Sequence, residues 1–155
     1  MHKKLFIPGP TEVRPEILQA QAVPMIGHRA PEYADLQRSV TAKLQQTLYT
    51  AQRVFLFGSS STGVMEGAVR QCSTQRVLNT VCGAFSKRWH EITTSNGIAC
   101  DSLVVPMGQA ITPEQVAAAL EAKPYDAVTV ALNETSTGIT NPVREIAALV
   151  RARHP

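Results

Sequence analysis

Apolar runs alternate with amphipathic stretches along the chain from Val54 onward. Some runs are short and rich in apolar and β-branched residues, which is typical of strands, and the stretches between them repeat apolar residues at helical spacing. The predicted strands are VFLF, RVLNTV, DSLVVP and YDAVTVAL. Because strands that alternate with helices form parallel sheets, we predict an α/β fold with a mostly parallel sheet and helical crossovers.

The predicted helices lie between and after these strands, and two of them carry start signals. Thr112-Pro113 and Asn141-Pro142 each place a capping residue before a proline, the arrangement favoured at a helix N-terminus. The predicted helices are VMEGAVRQC, SKRWHEITTS, PEQVAAALEA and NPVREIAALVRARHP.

The chain before Val54 has a different character. Prolines and glycines interrupt short apolar stretches there, and a helical pattern follows from about Pro31 to Tyr49. We therefore divide the chain into an N-terminal arm with one long helix, residues 1–50, and a sheet-containing part, residues 51–155.

Composition excludes several classes of function. The formal net charge of the 155 residues is +3, and the basic residues are scattered among acidic ones, so no nucleic-acid surface is indicated. No apolar run reaches the length of a membrane span or of a signal-peptide core. The three cysteines have no metal-binding spacing and lie in mostly apolar sequence, which predicts buried thiols and a cytoplasmic protein.

A loop rich in hydroxyl groups is the first candidate site. SSSTG follows the strand VFLF and precedes a predicted helix, whose first amides and dipole favour an anion. These side chains either form a phosphate cradle or only cap the helix. Gly58 and Gly63 have the glycine spacing of a nucleotide P-loop, but Val64 and Met65 replace its lysine and hydroxyl residue.

Five motifs occur in an order that identifies a resemblance covering nearly the whole chain. They are PGPTEV, GHRAPEY, SSSTGVMEG, VLNTVCGAFSKRWHEI and NETSTGITNP. In this order the chain resembles the class V aminotransferases, the serine/alanine–glyoxylate branch of the fold-type-I pyridoxal-phosphate enzymes. The resemblance implies pyridoxal 5′-phosphate as cofactor and the N-terminal part of that family's large domain, with an incomplete sheet.

The resemblance also implies roles for individual residues. Ser60, Ser61 and Thr62 match the loop that grips the cofactor phosphate, and Phe85 matches the aromatic that stacks on the pyridine ring. Thr135 matches the hydroxyl residue that lies near the oxygen attached to the cofactor's pyridine ring.

Neighbours of Thr135 admit two explanations. Asn133 and Glu134 either assist at the site or serve the chemistry of the turn, while Gly138 permits the turn that follows.

Substrate contacts are implied for the N-terminal arm. His28 and Arg29 match a pair that reaches the acidic end of the substrate in a neighbouring subunit, which implies a homodimer. Gly9, within the segment Pro8 to Pro10, matches the substrate entrance. Ordinary surface contacts and a rigid N-terminal turn explain the same residues without a substrate.

The catalytic lysine of the family has no match. The family's Schiff-base lysine, the aspartate at the pyridine nitrogen and the substrate-binding arginine all follow the region matched here. No lysine present has the expected context, and only Lys87 falls near the phosphate end of the site. The resemblance therefore implies an N-terminal fragment with no catalytic residue of its own.

Several functions remain open on this basis. The first is transfer of an amino group from a small amino acid, alanine or serine, to an oxo-acid such as glyoxylate or pyruvate. A phosphoserine aminotransferase and a noncatalytic cofactor-binding or assembly module are alternatives. Cysteine desulfurases carry histidine where this chain has Phe85, and a plain phosphate-binding or nucleotide-binding domain is disfavoured by the missing P-loop lysine.

Overall fold

The computed structural model of the protein describes residues 3–7 and 9–153, which form two compact units divided between Leu56 and Phe57. The first unit contains helices α1 (Pro15–Gln21) and α2 (Pro31–Thr47). Each helix starts with a proline, whose missing N–H costs nothing in the first turn. The predicted long helix is therefore confirmed as α2.

The second unit contains a small parallel sheet with helices between its strands. Strand β1 lies in the centre, with β2 on one side and β3 on the other, and both pairings are parallel. Its elements are α3 (Ser61–Cys72), β1 (Arg76–Val81), α4 (Ala84–Ser95), β2 (Ala99–Val104), α5 (Pro113–Ala122), β3 (Ala127–Thr129), β4 (Asn133–Glu134), β5 (Ile139–Thr140) and α6 (Val143–Arg153). The predicted α/β class with helical crossovers is confirmed.

Both faces of strand β1 are covered, as expected for a central parallel strand. Leu78 and Cys82 belong to the main core with Val116 of α5 and Ile146 of α6. Because neighbouring side chains along a strand point to opposite faces, Asn79 points the other way, where its Nδ2 donates to Thr93 Oγ1 of α4 at 3.3 Å. The sheet thus lies between two layers of helices.

A carboxylate fixes the start of strand β1. The Asp126 carboxylate accepts hydrogen bonds from the backbone N–H groups of Thr74, Gln75 and Arg76, at 2.5, 2.8 and 2.8 Å. The backbone bond from Thr74 contributes most to holding the pKa of Asp126 below its usual range. The loop before β1 is therefore tied to the start of β3.

The predicted strand VFLF is wrong. Residues 54–57 have no regular secondary structure, and the side chains of Phe55, Leu56 and Phe57 are well over half exposed. A strand needs a neighbour for its N–H and C=O groups, and no strand within residues 3–7 and 9–153 pairs with this segment.

One of the two predicted helix caps is confirmed. Thr112 Oγ1 accepts a hydrogen bond from Gln115 N at 3.3 Å, and Gln115 Oε1 accepts one from Thr112 N at 2.9 Å. The cap predicted at Asn141 is wrong, because α6 begins at Val143 and the buried Asn141 amide instead bonds to Ile111 N and to the Ala131 carbonyl. His154 and Pro155, which the prediction placed in this helix, lie outside the described residues.

The cysteines differ from one another in exposure. Cys82 is buried as predicted, but Cys72 is exposed, and Cys100 is half-buried with its Sγ 3.5 Å from His90 Nδ1. The prediction is wrong for Cys72, whose side chain is exposed at the last position of α3. In the part of the chain that the structure describes, none of the helices combines the length and apolar character of a membrane span.

Candidate functional site

The hydroxyl loop ends at the first turn of helix α3. Ser60 is the N-cap residue, with extended backbone angles (φ −69°, ψ 164°), and its side chain makes no capping hydrogen bond. The explanation that its hydroxyl serves as a helix cap is therefore wrong for Ser60. Val69, farther along α3, is buried and anchors the helix in the unit.

A cavity of about 300 Å³ opens beside this first turn. It brings together three of the residues predicted for the cofactor site, Ser61, Thr62 and Phe85. Its lining residues are Ser61, Thr62, Met65, Ala84, Phe85 and Arg88. Ser60 directly precedes this group in the chain but is not part of the lining.

Two side chains give the cavity its chemical character. The Phe85 ring is 58% exposed, which leaves much of its apolar surface free of protein contacts. Arg88, one helical turn later on α4, adds a positive charge, although its Nη1 also donates to Glu91 Oε2 at 3.1 Å. Sequence reasoning missed Arg88, yet its spacing of three residues from Phe85 places both on one helix face.

The NETSTG loop is attached to the first turn of α4 through the Glu134 carboxylate. Glu134 is fully buried, and its Oε2 accepts from Ser86 N at 2.8 Å and from Ser86 Oγ at 2.7 Å. Its Oε1 accepts from Phe85 N at 3.2 Å and from Ser136 Oγ at 2.6 Å. Ser136 Oγ in turn accepts from Ala84 N at 2.9 Å. Glu134 is therefore a structural link between this loop and helix α4.

The ionised state of the Glu134 carboxylate is stabilised by the hydrogen bonds that it accepts. Burial alone would raise the pKa of its carboxyl, but the hydrogen bonds from Ser136 and Ser86 and from the Phe85 amide outweigh burial and lower the pKa to about 2. The group is thus ionised at neutral pH.

The N-termini of α3 and α4 differ in how their first turns are hydrogen-bonded. The amides at the start of α4 already face a carboxylate, whereas the N-cap side chain of α3 makes no hydrogen bond to its helix. Because no carboxylate among the described residues bonds to the first turn of α3 as Glu134 does to that of α4, α3 is the better site for a phosphate.

Thr135 lies between the two residues that contact α4, Glu134 and Ser136, and its side chain is exposed. Gly138 has a φ of +72°, so the prediction that glycine permits this turn is confirmed. Asn133 closes the β4–β5 hairpin, since its Oδ1 accepts from Thr140 Oγ1 at 3.0 Å. Of the two explanations offered for Asn133, turn chemistry fits this bond.

The residues predicted for substrate binding lie in the first unit. Gly9 is exposed in a bend, and His28 and Arg29 are exposed in the turn before α2. Pro8, which was grouped with Gly9, lies outside the described residues.

None of the five lysines lines the cavity. Lys87 lies on α4 with its Nζ 3.6 Å from Glu91 Oε1, and Lys123 pairs with Asp101 at 3.1 Å. The cavity therefore combines hydroxyl groups, an aromatic ring and an arginine, without an amine that could act as a nucleophile.

Known proteins with similar sequences include several aminotransferases. No protein-family model matches the chain. An uncharacterized aminotransferase of Methanocaldococcus jannaschii is 40% identical over 154 residues, which are 96% of this chain and 40% of that protein. The serine–glyoxylate aminotransferase of Hyphomicrobium methylovorum is 32% identical over 158 residues, which are 97% of this chain and 39% of that protein. The chain is similar to aminotransferases over nearly its whole length.

Solved structures show the same similarity to aminotransferases. An aspartate aminotransferase of subgroup IV from Thermus thermophilus superimposes with a TM-score of 0.85 at 29% identity, covering 96% of this chain and 42% of that one. The match is to the N-terminal part of the aminotransferase fold. The chain thus spans about two fifths of the length of these aminotransferases.

Proposed function

We propose that this chain is the N-terminal, cofactor-binding part of an aminotransferase that depends on pyridoxal 5′-phosphate. The complete enzyme would transfer an amino group from a small amino acid such as alanine or serine to an oxo-acid such as glyoxylate or pyruvate. The observation that carries the proposal is the cavity that Ser61, Thr62 and Phe85 line together at the first turn of α3.

The residues of this cavity fit the cofactor chemically. Ser60, Ser61, Thr62 and the first amides of α3 would hold the phosphate, and the positive charge of Arg88 would add to its binding. The Phe85 ring would pack against the flat pyridine ring, and Thr135 would donate a hydrogen bond to the ring oxygen. When bound, the cofactor supplies an electron-withdrawing ring that stabilises negative charge on the α-carbon of the substrate.

Substitution of the hydroxyl residues tests the proposal. In the complete enzyme, Ser60→Ala and Thr62→Ala should each raise the dissociation constant of pyridoxal phosphate about 10-fold to 100-fold, because each removes a hydrogen bond to a charged group worth about 1.5–3 kcal/mol. Ser95→Ala, at an exposed position at the end of α4, is the matched control and should leave that constant unchanged. Cofactor content that survives dialysis equally well in all three variants would contradict the proposed cradle.

The names of similar proteins include serine, aspartate and glyoxylate as substrates. In the proposed enzyme, His28 and Arg29 would face the acidic end of the substrate, with Gly9 at the entrance. An arginine fork suits a carboxylate or a phosphate. Competition between serine and phosphoserine would distinguish the proposed activity from that of a phosphoserine aminotransferase.

We further propose that the complete protein is a two-fold dimer. None of the described residues before Phe57 is buried, although they include Phe6, Met25 and Tyr49, each at least 91% exposed. Apolar surface of this extent is normally covered by a partner.

Two measurements test association. Sedimentation of the complete protein should give the mass of a dimer, and the 155-residue chain by itself should bind a dye that fluoresces on apolar surface. A monomeric complete protein, or a 155-residue chain that stays monomeric at high concentration without binding the dye, would refute this part of the proposal.

A further inference from the structure

We propose that Glu134 is a positioning residue for the cofactor ring, because its buried carboxylate fixes Phe85 and Thr135 in one arrangement. The inference rests on the proposed function, since the ring contacts of Phe85 and Thr135 belong to it. Glu134 itself does not line the cavity and would act through its neighbours.

Helix α4 depends on this carboxylate for its cap. Its N-cap residue is Gly83, which has no side chain to accept the first-turn N–H groups. Glu134 supplies the acceptor from a loop about fifty residues later in the chain. Its carboxylate accepts hydrogen bonds from the backbone N–H groups of both Phe85 and Ser86. Because Glu134 is fully buried, loss of its carboxylate would leave these amides without their acceptor inside the protein.

The same carboxylate controls the loop that carries Thr135. Ser136 Oγ donates to Glu134 Oε1 and accepts from Ala84 N, so the residues on both sides of Thr135 are held against α4. Phe85 and Thr135 therefore share one anchor, and a movement of Glu134 displaces both.

Close contact at Gly83 shows how tightly this anchor is built. A methyl group at position 83 would lie 2.5 Å from Cδ and Cγ of Glu134 and from Oγ of Ser136. The carboxylate thus occupies the space that any other side chain at the helix cap would need.

The test compares Glu134→Gln with Glu145→Gln in the complete protein. Both replace a glutamate by its amide, but Glu145 is exposed in the first turn of α6 and has no part in the site. In E134Q one oxygen becomes an NH₂ group, which cannot accept hydrogen bonds from the donors that surround it. We expect the dissociation constant of pyridoxal phosphate to rise about tenfold or more in E134Q, and that of E145Q to stay at the wild-type value.

Two further measurements separate positioning from a loss of stability. With saturating cofactor, and at a temperature where the variant is folded, the absorption band of the bound cofactor should shift in E134Q. In the cofactor-free protein, the amides of residues 84–95 should exchange hydrogen faster than in wild type, while the amides of α5 and α6 should exchange at the wild-type rate. A purely stabilising role would lower the unfolding midpoint and leave the absorption band unchanged.

Each outcome decides a different claim. Wild-type protein that does not bind pyridoxal phosphate would overturn the proposed function and this inference with it. Wild-type binding together with an unchanged dissociation constant and absorption band in E134Q would overturn the inference alone.

If E134Q does not fold, Ser136→Ala provides the test. It removes one donor to Glu134 and the acceptor of Ala84 N, at a position whose residue is exposed. We expect weaker cofactor binding and a shifted absorption band, and a variant that matches wild type in both would overturn the inference.

Discussion

Gly83→Ala is expected to destabilise the second unit by about 3 kcal/mol and to abolish tight binding of pyridoxal phosphate. The added methyl group would displace the Glu134 side chain, which combines the cost of overpacking, about 1–3 kcal/mol, with that of unpaired buried polar groups, about 1–3 kcal/mol. Denaturant unfolding of the complete protein, followed by titration with the cofactor, measures both effects.

A second glycine provides the control for this substitution. Gly67 lies within α3, and a methyl group there would meet no atom within 4 Å. Gly67→Ala should therefore stabilise the protein by up to about 1 kcal/mol, the ordinary gain of alanine over glycine in a helix. A Gly83→Ala protein as stable as wild type would show that the close contact with Glu134 does not exist in solution.

The 155-residue chain by itself is expected to show no amino transfer from alanine or serine to glyoxylate. Transamination requires a lysine that bonds covalently to the cofactor and moves protons, and none of the five lysines lines the cavity. Weak, reversible cofactor binding should remain, because Ser61, Thr62 and Phe85 are all present in the chain. Borohydride reduction after incubation with pyridoxal phosphate should find no single labelled lysine.

Lys87 is the residue that could contradict this expectation. Its Nζ pairs with Glu91, and both residues lie on the helix that carries Phe85. A stoichiometric adduct at Lys87, accompanied by measurable turnover, would place the catalytic amine inside this chain.

Elements with strong local signals could be predicted from the sequence almost to the residue. RVLNTV forms β1 and PEQVAAALEA forms α5, because the apolar pattern of each agrees with the turn or cap beside it. VFLF failed although its pattern is as clear, because a strand depends on a partner that no sequence window contains.

The candidate site depended on the family resemblance more than on local patterns. Ser61, Thr62 and Phe85 were predicted from the resemblance to a known family, and the structure brings these three residues to one cavity. The burial of Glu134 was not predictable, since it results from the approach of the NETSTG loop to helix α4, about fifty residues earlier in the chain. Charged residues are so rarely buried that the sequence alone favours an exposed position.

The contact between Gly83 and Glu134 also constrains how the family can diverge. A larger residue at position 83 requires shorter residues at positions 134 and 136, so substitutions at these positions must arise together or in an order that passes through a weakened protein. Homologous sequences should therefore show paired changes at these positions, and a redesign of the NETSTG loop has to treat position 83 as part of the same segment.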